Sequence, residues 1–383
     1  MKFLGLLSMP FNSNAADSQQ AQDDQSAGDQ ELDVIIVGCG AAGMAAAHLL
    51  RQKGVNFQIL EANSRYGGRL KDSYELGGFP ISLGGEWLHD DPGELDLIIN
   101  DADIDTTELT RPYSADARGM HFQGGRSTPY AVNKYLDRKF VNSSWLGFFE
   151  QYILPGIETE IRYNVEIERV DYSGDGVRLT DSNGNLYRAN CVIVTVPLRI
   201  LQTGKIEFSP NLPAQKQRAI DKAKVWGGIK VFTQFSEAFY PTAVTFSDSD
   251  TADGQRLYYD AAYAQDVDVN VLGLFAVGRQ AERYQSATKK KLESLVLGEL
   301  DEVFDGAASR TYIKQVHQNW SEAQFAGGAY LHDYSALWIP KALSKSVNKK
   351  LYFAGTSYSR QNDWSSVHTA THSARRVVRE IVG

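Results

Sequence analysis

The chain has 383 residues, 43% of them hydrophobic, and a formal net charge of −8 at pH 7. This length and apolar content allow more than one buried core, and the acidic balance argues against nucleic-acid binding by bulk charge. No apolar run in the sequence approaches the ~20 residues that a membrane-spanning helix needs. Cys39 and Cys191 both lie beside predicted buried strands, so we expect neither a disulfide nor a metal site.

The first 31 residues are expected to form a tail. Residues 1–7 resemble a stunted signal peptide, with a single lysine and a short apolar core. Residues 12–30 are rich in Ser, Asn, Gln, Ala and Asp, and they hold too few large apolar groups to order themselves. We therefore expect a cytoplasmic protein, with export through the weak N-terminal segment as the alternative.

A strand–turn–helix–strand unit begins after this tail. The apolar run 33–37 predicts a short buried parallel strand. Residues 43–53 predict a helix that ends at Gly54, and residues 56–60 predict a second strand. This order of elements is typical of a Rossmann-type nucleotide-binding unit.

The turn of this unit carries a GxGxxG pattern formed by Gly38, Gly40 and Gly43. Gly38 permits the tight turn, Gly40 lets the backbone approach a pyrophosphate, and Gly43 lets the helix pack closely on the strand. The N-terminus of the helix presents free N–H groups to the phosphates. Glu61 ends the second strand, where a carboxylate can accept hydrogen bonds from ribose hydroxyls. Together these features predict dinucleotide binding.

The residues after Glu61 indicate which dinucleotide is bound. Residues 61–69 read EANSRYGGR, and a basic side chain such as Arg69 on a close-approaching glycine loop can neutralise the pyrophosphate of FAD. This E-A-x-x-R-x-G-G-R string resembles the flavin amine oxidase superfamily, which includes monoamine, polyamine and L-amino-acid oxidases and lysine-specific histone demethylases. The resemblance continues along most of the chain and implies FAD as the cofactor, with Gly68 and Arg69 among its ligands.

The segment 110–152 is unusually aromatic. We predict a small helical core there, with a wall facing the substrate or a membrane contact as alternatives. The other predicted helices cover residues 94–102, 212–224, 287–304 and 365–382. The other predicted strands cover residues 161–170, 176–179, 191–196, 228–235 and 351–355, and a mixed sheet is expected to continue through 237–240 and 257–275.

The Gly-rich turn and the closing strand and helix lie at opposite ends of the chain, so an FAD domain that contains both must be discontinuous. The predicted fold class is α/β, with a Rossmann-type FAD-binding domain and a substrate domain of mixed sheet and helix. The FAD-binding domain is predicted over 32–80, 160–205 and 345–383, and the substrate domain over 81–159 and 206–344.

The resemblance implies further cofactor contacts. Ile167 takes the position whose backbone contacts adenine in the family. Gly355, Thr356 and Val367 match the second flavin motif, in which a helix N-terminus stabilises negative charge on the reduced flavin. Thr356 departs from the family, whose members often carry a glutamate at this position or the next.

Lys230 lies in a predicted buried strand, where a lysine is costly unless it is solvated or paired. The resemblance matches it to the lysine that holds a water near flavin N5 in the family. That water matters for flavin reoxidation and for imine hydrolysis. The alternative is a lysine on an edge strand whose ammonium reaches solvent.

Trp320 and Tyr330 match positions around the isoalloxazine ring, and Tyr330 matches one wall of the family's aromatic cage. Aromatic faces exclude water and hold an amine without supplying a competing base, and core packing is the alternative for both residues. Ser366 stands at the second cage wall, where Trp364 is a candidate to replace it. Ala329 occupies the position of the flavin-linked cysteine of monoamine oxidases, so that linkage cannot form here.

Residues 82–89 read SLGGEWLH and resemble the family's acidic-x-Gly-x-x-Trp-x-His string, most closely that of polyamine oxidases. His89 matches a residue that lines the substrate tunnel, where a group that titrates near neutral pH can influence amine protonation. Glu86 is unusual at its position. It either binds a cationic substrate nitrogen or is an ordinary paired or surface carboxylate. The segment 90–163 is shorter than in family catalysts, so the substrate lid is trimmed.

We therefore predict an FAD-dependent oxidase of a small-molecule amine, with oxygen as the second substrate and hydrogen peroxide as a product. The residues expected to carry the chemistry are His89, Lys230, Trp320 and Tyr330. The alternatives are a C–C desaturase or porphyrinogen-type oxidase, and a flavoprotein without turnover that serves as a binding module. Amino-acid oxidation would need an arginine for the substrate carboxylate, for which the candidates are Arg111, Arg118 and Arg126. The sequence leaves the particular substrate and the oligomeric state open.

Overall fold

The computed structural model describes residues 32–132, 137–248, 250–332, 336–361 and 363–383. Its strands are β1 (Leu32–Val37), β2 (Phe57–Leu60), β3 (Asp72–Ser73), β4 (Ile81–Ser82), β5 (Thr110–Pro112), β6 (Arg118–Gln123), β7 (Arg126–Ala131), β8 (Arg138–Phe140), β9 (Ile161–Arg162), β10 (Ile167–Asp171), β11 (Val177–Asp181), β12 (Leu186–Val194), β13 (Glu207–Ser209), β14 (Gly228–Phe235), β15 (Ala243–Phe246), β16 (Asp250–Thr251), β17 (Gly254–Asp260), β18 (Asn270–Gly278), β19 (Tyr312–Asn319) and β20 (Leu351–Phe353). Its helices are α1 (Ala41–Gln52), α2 (Gly93–Ile99), α3 (Trp145–Tyr152), α4 (Leu198–Gln202), α5 (Ala214–Lys222), α6 (Glu282–Gln285), α7 (Lys289–Phe304), α8 (Ala307–Thr311), α9 (Trp338–Leu343) and α10 (Val367–Val382). The predicted N-terminal tail lies outside the described residues.

The first sheet has the strand order β13-β10-β11-β12-β1-β2-β9, and β20 also pairs with β12. Strand β1 runs parallel to β2 and β12, and it is apolar along most of its length because both faces of the sheet are covered. Val34 and Ile36 face a core that contains residues of α1 and α10. Ile35 and Val37 point the opposite way, into a core with residues of α4, α5 and α9.

Strand β12 connects the two ends of the chain. Val192 pairs with Ile35 of β1 on one side and with Leu351 of β20 on the other, and all three strands run parallel. Because parallel strands end at the same edge of a sheet, Gly38 and Gly355 are brought to the same edge. The sheet thus joins the predicted opening and closing parts of the nucleotide-binding unit.

The second sheet has the strand order β19-β14-β18-β17-β15-β6-β7, with β16 on β17. Strand β14 is an interior strand, since it pairs with β18 on one side and β19 on the other. Helix α7 packs on one face through Leu292, Val296 and Leu300, whose spacing of four places them on one side of a helix. The opposite face packs against residues 76–83. The division of the chain into two domains at the boundaries given above stays a prediction.

The aromatic segment 110–152 is mostly strand, so the prediction of a small helical core is wrong for much of it. Strands β6 and β7 form a hairpin around Gly124 and Gly125, both of which have positive φ. Helix α3 is the one α-helix in the described part of this segment, and its Trp145 and Phe149 are fully buried in the core that contains residues of α1 and α10. No aromatic residue of the segment lines the cleft described below, within the residues that the structure describes. None of the described helices combines the length and apolar character that crossing a bilayer requires.

Two further predictions of secondary structure are also wrong. Residues 237–240 do not form a strand. The helix expected over 94–102 ends at Ile99, because Asn100 adopts the left-handed conformation with φ of 53° and terminates it.

We expect Gly43→Ala to destabilise the protein, because a Cβ at this position would overlap the carbonyl oxygen of Gly38. Overpacking of this kind lowers the free energy of unfolding by about 1–3 kcal/mol. Gly298→Ala is the matched control, since Gly298 lies in helix α7 with open space around it. That substitution should stabilise the protein by about 1 kcal/mol through helix propensity. Urea unfolding of both variants measures the difference, and equal effects would contradict the close contact at Gly43.

Candidate active site

Residues from both sheets line one cleft of about 470 Å³. We call the part that is lined by elements of the first sheet and by the start of α10 the nucleotide half. The part lined by residues 84–87, by His89 and Asp137, and by residues of the second sheet and its loops is the substrate half. Each predicted site residue can be placed relative to these two halves.

Most of the predicted site residues line this cleft, and Gly43 lies behind its Gly-rich turn. Those in the nucleotide half are Gly38, Gly40, Glu61, Gly68, Arg69, Ile167, Gly355, Thr356 and Val367. Those in the substrate half are His89, Lys230, Trp320 and Tyr330.

The Gly-rich turn has the space that a phosphate needs. Gly38 has φ of +105°, and a Cβ there would lie 2.6 Å from Thr195 Oγ1. At Gly40, by contrast, a Cβ would meet no atom closer than 3.9 Å, so the turn leaves room on its cleft side. Helix α1 begins at Ala41 directly after this turn, and its N-terminal N–H groups are suited to bind an anion.

Glu61 is held by the backbone of the same region. Its Oε2 accepts a hydrogen bond from Cys39 N at 2.6 Å, and its Oε1 accepts one from Asn63 N at 2.8 Å. Burial raises the pKa of Glu61, while these two N–H groups and Arg65 oppose the rise. A carboxylate has about four lone-pair sites, so both oxygens can still accept a hydroxyl donor from the cleft.

The two arginines of the EANSRYGGR string make different contacts. Arg65 donates to the carbonyl oxygens of Tyr66, Gly68 and Leu70, and so it holds the loop together. Arg69 lines the cleft and donates to Thr356 Oγ1 at 3.3 Å. Within the described residues it forms no ion pair with a carboxylate, so its charge is available to an anion in the cleft.

Helix α10 brings its N-terminus to the cleft. Val367, its first residue, and the preceding Ser366 both line it. Asp363 accepts hydrogen bonds from the backbone N–H groups of Ser365 and Ser366, and these bonds and those from nearby hydroxyls lower its pKa to about 2 despite burial. Asp363 was not identified from the sequence, although an acid just before a predicted helix is a recognisable signal.

Aromatic side chains line the substrate half. Trp320 is 6% exposed and donates its indole N–H to Leu83 O at 2.8 Å. Tyr330 follows Ala329, and both line the cleft. Trp364 is 2% exposed within the second core and does not line the cleft, so its suggested role as the second cage wall is wrong. Packing in the core was the alternative to a site role for Trp320 and Tyr330. Both residues line the cleft.

A buried charge cluster closes this half, and we call Glu86, Lys139, Lys230 and Tyr259 the Glu86 cluster. Glu86 Oε2 accepts hydrogen bonds from Lys230 Nζ at 2.5 Å and from the Tyr259 hydroxyl, while Oε1 accepts one from Lys139 Nζ. The side chains of Glu86, Lys139 and Lys230 are 4–5% exposed. Lys230 Nζ also donates to Ser82 O at 3.2 Å and lies 4.9 Å from the centre of the Trp87 ring.

These contacts decide two open questions about the cluster. Lys230 is on an interior strand and is 4% exposed, so it is not an edge-strand lysine that reaches solvent. Glu86 is a buried, paired carboxylate. Burial alone would raise the pKa of Glu86, but Lys139 and Lys230 outweigh it and lower the pKa. Burial lowers the pKa of Lys230, Glu86 opposes this, and the like charge of Lys139 adds to it.

His89 stands at the more exposed side of the substrate half. Its Nδ1 lies 2.6 Å from Asp137 Oδ1, and the two side chains are 42% and 33% exposed. Both residues line the cleft. The predicted alternatives for carboxylate binding, Arg111, Arg118 and Arg126, do not line it within the described residues.

The sequence missed Lys139 and Tyr259, which complete the Glu86 cluster. Lys139 lies 53 residues from Glu86 and Tyr259 lies 173 residues from it. No motif marks either residue. The available signal was the buried position predicted for Lys230, since a buried ammonium requires a partner.

An α/β fold with a Gly-rich turn, a buried acid at the end of the second strand and a C-terminal helix at one cleft is typical of oxidoreductases that bind a dinucleotide cofactor. A family model described as flavin containing amine oxidoreductase matches residues 41–150 and 156–382, and the chain belongs to this family.

Similar proteins include enzymes that act on small amines and on histones. Lysine-specific histone demethylase 1B of Mus musculus is 23% identical over 420 residues, which cover 85% of this chain and 50% of that protein. Polyamine oxidase 2 of Arabidopsis thaliana is 24% identical over 293 residues, which cover 54% of this chain and 59% of that protein. The matched regions therefore cover between 50% and 59% of the length of these two relatives. A solved structure of putrescine oxidase bound to putrescine has a TM-score of 0.75 and 15% identity, covering 92% of this chain and 99% of that one.

These findings confirm the predicted superfamily and the α/β fold class, and FAD is the cofactor. The residues present fit this group. The turn at Gly40 leaves space on its cleft side, Glu61 keeps lone pairs for hydroxyls, and Arg69 offers a cation to the pyrophosphate. Gly355 N donates to Ser373 Oγ at 2.7 Å, which fixes the closing loop beside them.

We expect Glu61→Gln to weaken FAD binding about 10- to 100-fold. The amide removes the charge and turns one acceptor into a donor that faces the Cys39 or Asn63 N–H, and hydrogen bonds to a charged group contribute about 1.5–3 kcal/mol. Fluorescence titration of the apoprotein with FAD measures the effect. Glu108→Gln, at an exposed position outside the cleft, is the control. Equal affinities in the two variants would remove Glu61 from the cofactor site.

Proposed function

We propose that the protein is an FAD-dependent amine oxidase. The observation that supports this most directly is the Lys230 ammonium, buried in a cleft wall that also contains Trp320 and Tyr330. When bound, FAD would supply the redox chemistry, a two-electron oxidation of the amine by hydride transfer from its α-carbon, with oxygen as the final electron acceptor and hydrogen peroxide as the product. The amine nitrogen loses a proton, and the resulting imine is hydrolysed to a carbonyl and ammonia or a smaller amine.

Lys230 is suited to hold a water in the cleft. An ammonium has three N–H donors. Within the described residues, the hydrogen bonds to Ser82 O and Glu86 Oε2 use two of them. The third donor can hold a water at the cleft wall, where the imine must be hydrolysed. This arrangement supports the role that the sequence resemblance implies for Lys230.

The Glu86 cluster favours a neutral amine as the reacting form. Glu86 carries one negative charge against the two positive charges of Lys139 and Lys230, so the cluster has a net charge of +1. A substrate ammonium that approached it would meet like charge and lose its hydration. An amine that has lost its proton avoids this repulsion, and its lone pair is free to assist hydride departure.

The aromatic lining supports an amine with an apolar body. Trp87, Phe275, Trp320 and Tyr330 all line the substrate half. These faces exclude water and supply no competing base. The three arginines considered for an amino-acid carboxylate are absent from the described cleft lining, which favours an amine over an amino acid.

Anaerobic mixing of the yellow holoprotein with aromatic monoamines, polyamines and L-amino acids tests this proposal. We expect an amine to bleach the flavin absorbance, while L-amino acids do not. The rate should rise with pH until the substrate ammonium is fully deprotonated, because the neutral amine reacts. If no amine causes bleaching, the chain is a binding module, and bleaching by an apolar C–C substrate instead would favour the desaturase.

We expect Lys230→Met to lower turnover at least tenfold while FAD stays bound, since a charged hydrogen bond contributes about 1.5–3 kcal/mol. Glu86 keeps Lys139 and Tyr259 as partners in this variant, so the fold should persist. Lys216→Met is the matched control, because Lys216 is 3% exposed, close to the 4% of Lys230, but lies outside the cleft. Steady-state turnover and the FAD content are measured for both variants. An unchanged rate in Lys230→Met would exclude this lysine from the mechanism.

A further inference from the structure

Lys139 is a buried lysine that touches the active site only through another residue. It lies in β8, within the segment 90–163, and it is 3% exposed. Its ammonium donates to Glu86 Oε1 and, at 3.3 Å, to Ala261 O. Unlike Glu86 and Lys230, Lys139 does not line the cleft.

The geometry of Glu86 divides its two oxygens between two lysines. Oε1 faces Lys139, while Oε2 faces Lys230 and Tyr259. Because Oε1 is hydrogen-bonded to Lys139, the carboxylate cannot turn both of its oxygens toward Lys230. Lys139 therefore fixes the orientation of Glu86 and shares its negative charge with Lys230.

The charges that face Lys230 come from several elements. They are Glu86, Lys139 in β8, Asp72 in β3 and Tyr259 in β17. The Tyr259 hydroxyl is neutral, because burial and Glu86 raise its pKa well above the usual range. Asp260, in the same strand as Tyr259, faces Lys139 and offsets part of its charge. Burial raises the pKa of Asp72 to about 6, so Asp72 is negatively charged at the alkaline pH where Lys230 titrates, and it helps Lys230 to keep its proton.

We propose that Lys139 is a positioning residue that acts through Glu86 and sets the pH range over which Lys230 carries its charge. This inference rests on the proposed role of Lys230 in the oxidase. Loss of Lys139 removes a like charge and leaves the whole carboxylate to Lys230. Lys230 then keeps its proton to higher pH.

The test uses the holoprotein and needs no amine. The bound FAD is reduced with one equivalent of dithionite and mixed with oxygenated buffer between pH 6 and pH 10.5. The rate of reoxidation is compared in the wild type, Lys139→Met, Lys139→Arg and Lys230→Met. The visible spectrum of the oxidised holoprotein, titrated over the same range, gives a second readout that does not depend on activity.

The reoxidation rate of the wild type should fall as Lys230 loses its proton at alkaline pH. In Lys139→Met the midpoint of this fall should move up by roughly one pH unit, as expected for removal of a nearby buried like charge. Lys139→Arg retains the charge and should leave the midpoint near that of the wild type. Lys230→Met should abolish the step, which assigns it to Lys230.

An unchanged midpoint in Lys139→Met, or a wild-type profile without a step that depends on Lys230, would overturn the inference. Thermal unfolding of Lys139→Met separates a change in the cluster from a loss of fold, because Glu86 still has Lys230 and Tyr259 as partners. If the midpoint shifts but no amine reduces the flavin, the inference stands and the proposed amine oxidase activity fails. If amines reduce the flavin but the midpoint does not shift, the reverse holds.

Discussion

The parallel pairing of β12 between β1 and β20 is the constraint on which the site depends. It places residues 192–194 between residues 35–37 and residues 351–353, and so it brings the Gly-rich turn and the closing loop to the same sheet edge. Helices α1 and α10 then share one core beneath that edge. Neither end of the chain could build the nucleotide half alone, because residues of the Gly-rich turn and residues of α10 both line it. The discontinuity of the nucleotide-binding unit is thus a direct consequence of sheet topology.

The substrate half depends on a different kind of interaction, the burial of charge. Removing three ionised groups from water is costly, and a buried ion triad is often no more stabilising than apolar side chains of similar volume. The Glu86 cluster is tolerated because every charge has a partner of opposite sign within hydrogen-bond distance, and Tyr259 adds a neutral donor. Stability alone therefore does not account for these residues. The position of Glu86 and Lys230 at the cleft wall does, since a lysine placed there can remain charged only if the surrounding residues compensate its burial.

The sequence predicted the parts of the molecule whose determinants are local. Gly38, Gly40, Gly43 and Glu61 lie within one strand–turn–helix–strand unit, and the bounds of β14 and α10 follow from apolar periodicity. The partners of Glu86 could not be predicted in this way, because Lys139 and Tyr259 are brought to it by sheet formation across 53 and 173 residues. The aromatic segment was misassigned because aromatic spacing suits a helix or a strand equally well. The turn Gly124–Gly125 was the signal that should have indicated a hairpin.

The segment 90–163, which the sequence resemblance predicts to be shortened, bears on the choice between an enzyme and a binding module. A chain that had become a mere binding module would be free to replace buried charges by apolar residues, which is often neutral or stabilising. Yet this segment supplies Lys139 to the Glu86 cluster and buries it to 3% exposure. Its aromatic residues Trp145 and Phe149 pack into the core that supports α1 and α10. The segment therefore makes both a structural and an electrostatic contribution to the site, which supports the proposed enzyme over a binding module.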